Sequence, residues 1–64
     1  MNIDILLKEF KEILELEERA KHFYDHYAEQ VDDKKIKDEL IAIRDDEITH
    51  IEIAKKLIDL VRPD

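Results

Sequence analysis

The stretch Val31-Asp32-Asp33-Lys34-Lys35 is the one polar interruption between two long segments of helical rhythm. In the first segment, apolar residues recur in steps of three and four apart from one gap, at Ile3, Leu6, Phe10, Ile13, Ala20, Tyr24, Tyr27 and Val31. In the second segment the same rhythm, again with one gap, gives Ile36, Leu40, Ile43, Ala54, Leu57 and Val61. Such spacing is typical of a heptad seam along an α-helix. We therefore predict two helices joined by a short turn.

Polar residues mark where these helices begin, because a capping side chain accepts a hydrogen bond from an unpaired N–H of the first turn. The candidate caps are Asp32 or Asp33 for the second helix and Asn2 or Asp4 for the first. Proline cannot continue a helix, so Arg62-Pro63 ends the second one. We predict one domain over residues 1–64, with antiparallel helices near 4–30 and 34–61.

Composition narrows the class of protein. Charged residues make up 45% of the chain and hydrophobic residues 44%, and glycine is absent, as in long amphipathic helices. The absence of cysteine excludes disulfides and thiolate metal sites. A net charge of −7 argues against nucleic acid and anionic membranes as partners. With no apolar run near the roughly 18 residues of a membrane span, we expect a soluble, cytoplasmic protein.

Two helices cannot enclose a core, and the apolar surface here is wider than one seam. Further apolar residues flank the seam, namely Leu7, Leu14, Leu16, Phe23 and Ala28 on the first helix and Ile41, Ile48, Ile51 and Ile58 on the second. Apolar patches of this size usually mean association. Homodimerisation of two hairpins into a four-helix bundle is the simplest closure. Ile53 and Leu60 lie still further from the seam around the second helix, which would allow a higher oligomer.

Polar residues fill the gaps in both seams. Glu17 occupies the gap in the first, and Glu47 and His50 occupy the gap in the second. Glu47 and His50 are three residues apart and therefore share one helix face. Glu17 lies 15 residues before Asp32 and Glu47 lies 15 after it, so a turn at Asp32 places both at one level.

In a dimer, this layer would contain four glutamates and two histidines. One Glu from each of two helices, plus Glu-x-x-His from each of the other two, is the ligand set of di-iron and di-manganese carboxylate proteins. Two divalent ions would balance the four carboxylates, and oxygen and imidazole ligands suit iron, manganese or zinc. The alternative is a polar layer that only sets the register of a structural coiled coil.

Residues near the layer have weaker assignments. Tyr24 lies two turns beyond Glu17, where its hydroxyl would either bond a ligand carboxylate or simply pack. Asp46 and Glu18 neighbour the layer as candidate supporting carboxylates. His22 and His26 form an i, i+4 pair on the outer side, either a second surface metal site or a solvated helix face.

The segment Glu17-Glu18-Arg19-Ala20-Lys21-His22-Phe23-Tyr24-Asp25, followed by Arg44-Asp45-Asp46-Glu47-Ile48-Thr49-His50, resembles the ferritin-like superfamily, and most closely the encapsulated ferritins. The rubrerythrin group has a similar Glu-x-x-Ala-x-x-x-Tyr and Glu-x-x-His. The resemblance covers roughly residues 12–62. Leu16 and Arg19 stand where the family is expected to have acidic residues that draw iron in.

The resemblance implies that Glu17, Glu47 and His50 are ferroxidase ligands and that the di-iron centre forms where two subunits meet. It implies oxidation of Fe(II) by dioxygen, with two iron ions per dimer, for iron storage and detoxification. It also implies an encapsulin shell as partner and a location inside that compartment. The rivals are a rubrerythrin-like peroxide reductase and a non-catalytic homo-oligomeric helical module.

Overall fold

The computed structural model describes residues 1–62, which form two α-helices and no strand. Helix α1 spans Ile3–Gln30 and helix α2 spans Lys34–Val61, each with 28 residues. A helix of that length is roughly 42 Å long, and the molecule measures 47 × 17 × 14 Å. The helices therefore lie side by side, and their three-residue connection makes them antiparallel. The chain is a helical hairpin, as its sequence predicts.

Each helix begins at one of its two candidate caps. The Asn2 side chain accepts a hydrogen bond from the Asp4 N–H at 2.7 Å. The Asp33 side chain accepts one from the Ile36 N–H at 3.0 Å. Asn2 rather than Asp4 thus caps α1, and Asp33 rather than Asp32 caps α2. These bonds satisfy N–H groups that have no partner inside the helix.

The helices end without any left-handed residue. Val31 leaves α1 in an extended conformation, and its N–H donates to the Tyr27 carbonyl at 3.1 Å. No residue in the described part of the chain has a positive φ, so the connection needs no glycine. The Arg62 N–H donates to the Ile58 carbonyl at 2.9 Å and closes α2 after Val61. Pro63, the predicted helix terminator, lies outside the described residues.

The contact between the helices is rotated away from the predicted seam. Within residues 1–62, the only buried residues are Ala28, Ala54 and Ile58, and two of these were placed on the flanks by the sequence pattern. Five predicted seam residues are exposed instead, namely Ile3, Ile13, Tyr27, Ile36 and Leu57. A hairpin buries only the stripe that faces its single neighbour, whereas the apolar pattern covers a broader arc. The prediction of the buried stripe was wrong by this rotation.

A second apolar surface therefore faces away from the helix contact. We call it the open face and define it by exposed residues spaced three, four or seven apart: Ile13, Leu16, Phe23 and Tyr27 on α1, and Ile53, Leu57 and Leu60 on α2. Leu60 is 80% exposed and Leu16 is 61% exposed, so these side chains have almost no cover within the hairpin. Despite this surface, neither helix has, over residues 1–62, a stretch long and apolar enough to cross a membrane.

Candidate metal centre

The two helices bring Glu17, Glu47 and His50 together near the middle of the hairpin. His50 Nδ1 lies 3.2 Å from Glu17 Oε2 and 3.7 Å from Glu47 Oε1. One ligand atom from each of the three residues lies within 4.8 Å of the others. Among the described residues, this is the one cluster of three or more His, Asp or Glu side chains with that geometry. The three residues that interrupt the apolar seams are therefore neighbours in space.

The three side chains differ in exposure. The Glu47 side chain is 16% exposed and that of Glu17 is 25% exposed, whereas that of His50 is 53% exposed. His50 lies three residues before Ile53 on α2, which places its imidazole at the margin of the open face. The carboxylates are thus partly withdrawn from water, and the imidazole borders the surface that a second molecule would cover. We refer to these three residues as the metal layer.

The electrostatics of the metal layer depend on how close the two carboxylates lie. The pKa of Glu47 is raised above its usual value of 4.5, chiefly by side-chain hydrogen bonding with Glu17 and then by burial and by the charge of Glu17. His50 opposes this shift, and Asp46 adds to it through repulsion. Two neighbouring carboxylates repel each other when both are ionised. The metal layer therefore attracts a positive charge.

The donor atoms fit a divalent transition-metal ion. Two carboxylates and one imidazole, without sulfur, suit iron, manganese or zinc. Donors bound to one ion at roughly 2.1 Å lie at most about 4.2 Å apart. The present separations of up to 4.8 Å are within a small side-chain rotation of that limit. Glu17, Glu47 and His50 would supply three of the ligands of such an ion.

The other candidate residues are placed as follows. The Tyr24 ring packs edge-to-face on Phe23, with 5.2 Å between ring centroids and an interplanar angle of 86°. Asp46 is exposed, yet it is close enough to raise the pKa of Glu47. The supporting roles predicted for Tyr24 and Asp46 stay predictions.

Three further candidates lie away from the metal layer. Glu18 and His22 line a surface groove together with Lys21, Ile48, Ile51, Glu52 and Lys55. The His26 ring packs on Tyr27 at a centroid distance of 5.0 Å. Glu18, His22 and His26 belong to no cluster of three ligand atoms among the described residues, so nothing gathers them into a second metal site.

Sequence reasoning missed a network of charges beside the metal layer. One carboxylate oxygen of Asp25 accepts a hydrogen bond from Lys21 Nζ at 3.0 Å, and the other accepts one from Arg44 Nη1 at 3.1 Å. Arg44 Nη2 also donates to Asp45 Oδ1 at 2.8 Å. Hydrogen bonding from Lys21, followed by that from Arg44, lowers the pKa of Asp25. The i, i+4 spacing of Lys21 and Asp25 was a visible signal, but the partner on α2 was not.

Comparison of this chain with protein-family models, curated proteins and solved structures yields no match. The ferritin-like resemblance therefore stands on the residues of the two motifs. The geometry of Glu17, Glu47 and His50 is an independent observation, because it depends on how the hairpin folds.

Proposed function

We propose that this protein is a homo-oligomeric ferroxidase in which two hairpins pair through their open faces and bind two Fe(II) ions between them. Glu17, Glu47 and His50 of each subunit would hold the iron. One observation carries the proposal, namely the convergence of these three side chains at one level of the hairpin. Their ligand types and their Glu-x-x-His spacing match the known di-iron carboxylate pattern.

The exposed area of the hairpin supports pairing with a second copy. A compact monomer of 7.7 kDa exposes roughly 4,300 Å². This chain exposes 5264 Å², roughly 900 Å² more. Each partner of a stable protein interface buries about 800 Å². The excess area is thus about what one copy contributes to a dimer, and the open face supplies apolar side chains to cover it.

Pairing through the open face would also complete the metal layer. His50 borders that face, so pairing through it would bring ligands of both subunits to the interface. Four carboxylates balance two divalent ions, which would relieve the repulsion between Glu17 and Glu47 that raises the pKa of Glu47. This balance favours a divalent cation, and Fe(II) is the substrate that the family resemblance implies. Manganese and zinc fit the same ligands.

The residues of the chain have separate tasks in the proposed reaction. Glu17 and Glu47 bind and neutralise the iron, and His50 supplies a nitrogen ligand at the exposed margin. The two Fe(II) ions would give up one electron each, and one dioxygen would take both electrons and two protons and leave as hydrogen peroxide. The protein contributes position and electrostatics, whereas the metal carries the redox chemistry. Storage of the oxidised iron within an encapsulin shell is part of the same proposal.

Anaerobic titration with Fe(II), followed by admission of air, tests the proposal. We expect saturation at one iron per chain and then near-ultraviolet absorbance of ferric iron. Glu17→Gln should lose both, because it removes a charged ligand without changing side-chain size. Glu29→Gln is the matched control, since Glu29 is exposed on the same helix and outside the metal layer. Wild-type protein that binds no stoichiometric iron would disprove the function.

A non-catalytic role has one specific observation in its favour. His50 and Glu47 both interact directly with Glu17, so the metal layer would also work as a polar contact that sets the helix register. In that case Glu17→Gln would change the stability of the protein, and iron oxidation would proceed as slowly as in buffer.

A further inference from the structure

Two cations lie within one helical turn of the metal-layer carboxylates. Lys21 follows Glu17 by four residues, and Arg44 precedes Glu47 by three. Side chains at these separations are neighbours on a helix surface, and a Glu followed four residues later by a Lys is the favourable order for an ion pair. Lys21 and Arg44 are therefore the expected salt-bridge partners of Glu17 and Glu47. Such pairs would occupy the carboxylates that the metal needs.

Both cations form ion pairs with Asp25 instead. Lys21 Nζ lies 3.0 Å from Asp25 Oδ2, and Arg44 Nη1 lies 3.1 Å from Asp25 Oδ1. Asp45 takes two further donors of Arg44, at 2.8 and 3.2 Å. All three side chains of the Asp25 contact are about one third exposed, so each is partly shielded from water. Asp25 thus uses both of its oxygens to hold the nearest positive charges.

The carboxylates of the metal layer consequently have no Lys or Arg partner among the described residues. The groups that act on Glu47 are Glu17, His50 and Asp46, and neither Lys21 nor Arg44 is among them. Each cation is nevertheless only one turn away along its own helix. The arrangement separates the charges into a balanced group of two cations and two aspartates and a pair of glutamates without a Lys or Arg partner.

We propose that Asp25 is a positioning residue for the metal layer: by binding Lys21 and Arg44 it keeps both cations off Glu17 and Glu47 and so leaves these carboxylates free for metal. This role rests on the proposed function, since it matters only if the layer binds a cation. It assigns Asp25 no contact with the metal. It also makes metal affinity dependent on an ion pair outside the ligand set.

Titration of the chain with Co(II) tests this role, because Co(II), unlike Fe(II), resists oxidation by air and so reports binding alone. Asp25→Asn frees Lys21 and Arg44 to pair with the glutamates and should weaken Co(II) binding on the order of tenfold. Asp38→Asn is the matched control, because Lys34 and Asp38 form the same i, i+4 ion pair at 2.8 Å near the start of α2. That control should bind Co(II) as the wild type does. Circular dichroism verifies that each variant retains its helices.

A rescue variant separates positioning from a merely structural effect. Asp25→Asn combined with Lys21→Gln and Arg44→Gln removes the competing cations, so Co(II) affinity should return to the wild-type value or exceed it. A structural role predicts the reverse, since the triple variant has lost still more interactions. Wild-type affinity in Asp25→Asn, or no recovery in the triple variant, would overturn the role of Asp25 alone. Wild-type protein that binds no Co(II) would overturn the proposed function and this role together.

Discussion

Two polar clusters cross the hairpin, and they balance charge in opposite ways. Lys21 and Arg44 both form ion pairs with the Asp25 carboxylate, and Asp45 accepts further hydrogen bonds from Arg44. In the metal layer, two carboxylates meet one imidazole, and the nearby Glu17 raises the pKa of Glu47. The Asp25 cluster contains its own cations, whereas the metal layer has no Lys or Arg partner among the described residues. Charged groups without a partner of opposite charge are candidates for binding a ligand, whereas charged groups with such a partner are candidates for a structural role.

Removal of one charge from the metal layer gives the largest expected effect. Glu47→Gln should weaken Fe(II) or Co(II) binding by about a hundredfold or more, because loss of even an indirect partner of a metal ligand costs 10- to 100-fold. Isothermal titration calorimetry measures this loss. The metal-free variant should be as stable as the wild type or more so, since the repulsion with Glu17 is gone. A less stable metal-free variant would mean that the metal layer is structural, like the Asp25 cluster.

Disruption of the open face should weaken metal binding by the metal layer but should leave the ion pairs of the Asp25 cluster unchanged. Phe23→Glu places a charge on that face and should reduce the particle mass in solution to that of one 7.7 kDa chain. Metal binding should fall with it, because each hairpin supplies only half of the ligands. Light scattering coupled to size-exclusion chromatography gives the mass.

His22→Glu is the control for that experiment, since it adds a similar charge one residue away but in the groove lined by Ile48 and Ile51. It should leave both mass and metal binding unchanged. A monomeric wild type that still binds metal stoichiometrically would show that the site needs no partner.

The Asp25 cluster should behave in the opposite way in metal-free protein. Asp25→Asn removes the carboxylate charge that Lys21 and Arg44 share, so we expect the thermal midpoint to fall by a few degrees. Asp38→Asn disrupts a more exposed pair and should shift the midpoint less. Differential scanning calorimetry at one protein concentration compares the variants. An unchanged midpoint in Asp25→Asn would remove the contrast between the two clusters.

The smallest expected effect is a pair of opposite pH dependences. The pKa of Glu47 is raised in the folded chain, so its stabilisation is full below about 4.5 and is lost as pH rises through the folded value. The pKa of Asp25 is lowered, so its stabilisation is full above 3.8 and is lost as pH falls through the folded value. Urea unfolding of metal-free wild type, Glu47→Gln and Asp25→Asn from pH 3 to 7 isolates each contribution. Each variant's free energy of unfolding is subtracted from that of the wild type and plotted against pH. If the two plots had slopes of the same sign, the opposite pKa shifts of Glu47 and Asp25 would be contradicted.

Much of the backbone follows from local sequence. The apolar rhythm and the candidate caps at the helix starts, Asp32 or Asp33 for α2, predict both helices, because these features depend on neighbours a few residues away. The level of Glu17 with Glu47 follows in turn from the position of the connection. Helix length and turn position together therefore predict which residues meet across the hairpin.

Two features could not be read from the sequence, for physical reasons. A heptad pattern marks the centre of an apolar arc but does not tell which part of the arc faces a single neighbour, so Ala28 and Ile58 were misplaced. Lys21 is four residues from both Glu17 and Asp25, and the order of Glu17 before Lys21 favours the partner that Lys21 does not bind in the structure. Arg44 decides between them by joining Asp25 across the hairpin, which only the folded structure brings about.

The equal length of the two helices has a consequence for how such a protein could become a single-chain enzyme. Because α1 and α2 each have 28 residues, Asn2 and Arg62 lie at the same end of the hairpin. Two tandem copies joined there would carry every ligand on one polypeptide, with a linker of at most roughly 14 extended residues to cross the 47 Å molecule. Assembly would then be intramolecular, at a millimolar effective concentration. Gene duplication with such a linker would thus make the proposed metal centre independent of protein concentration.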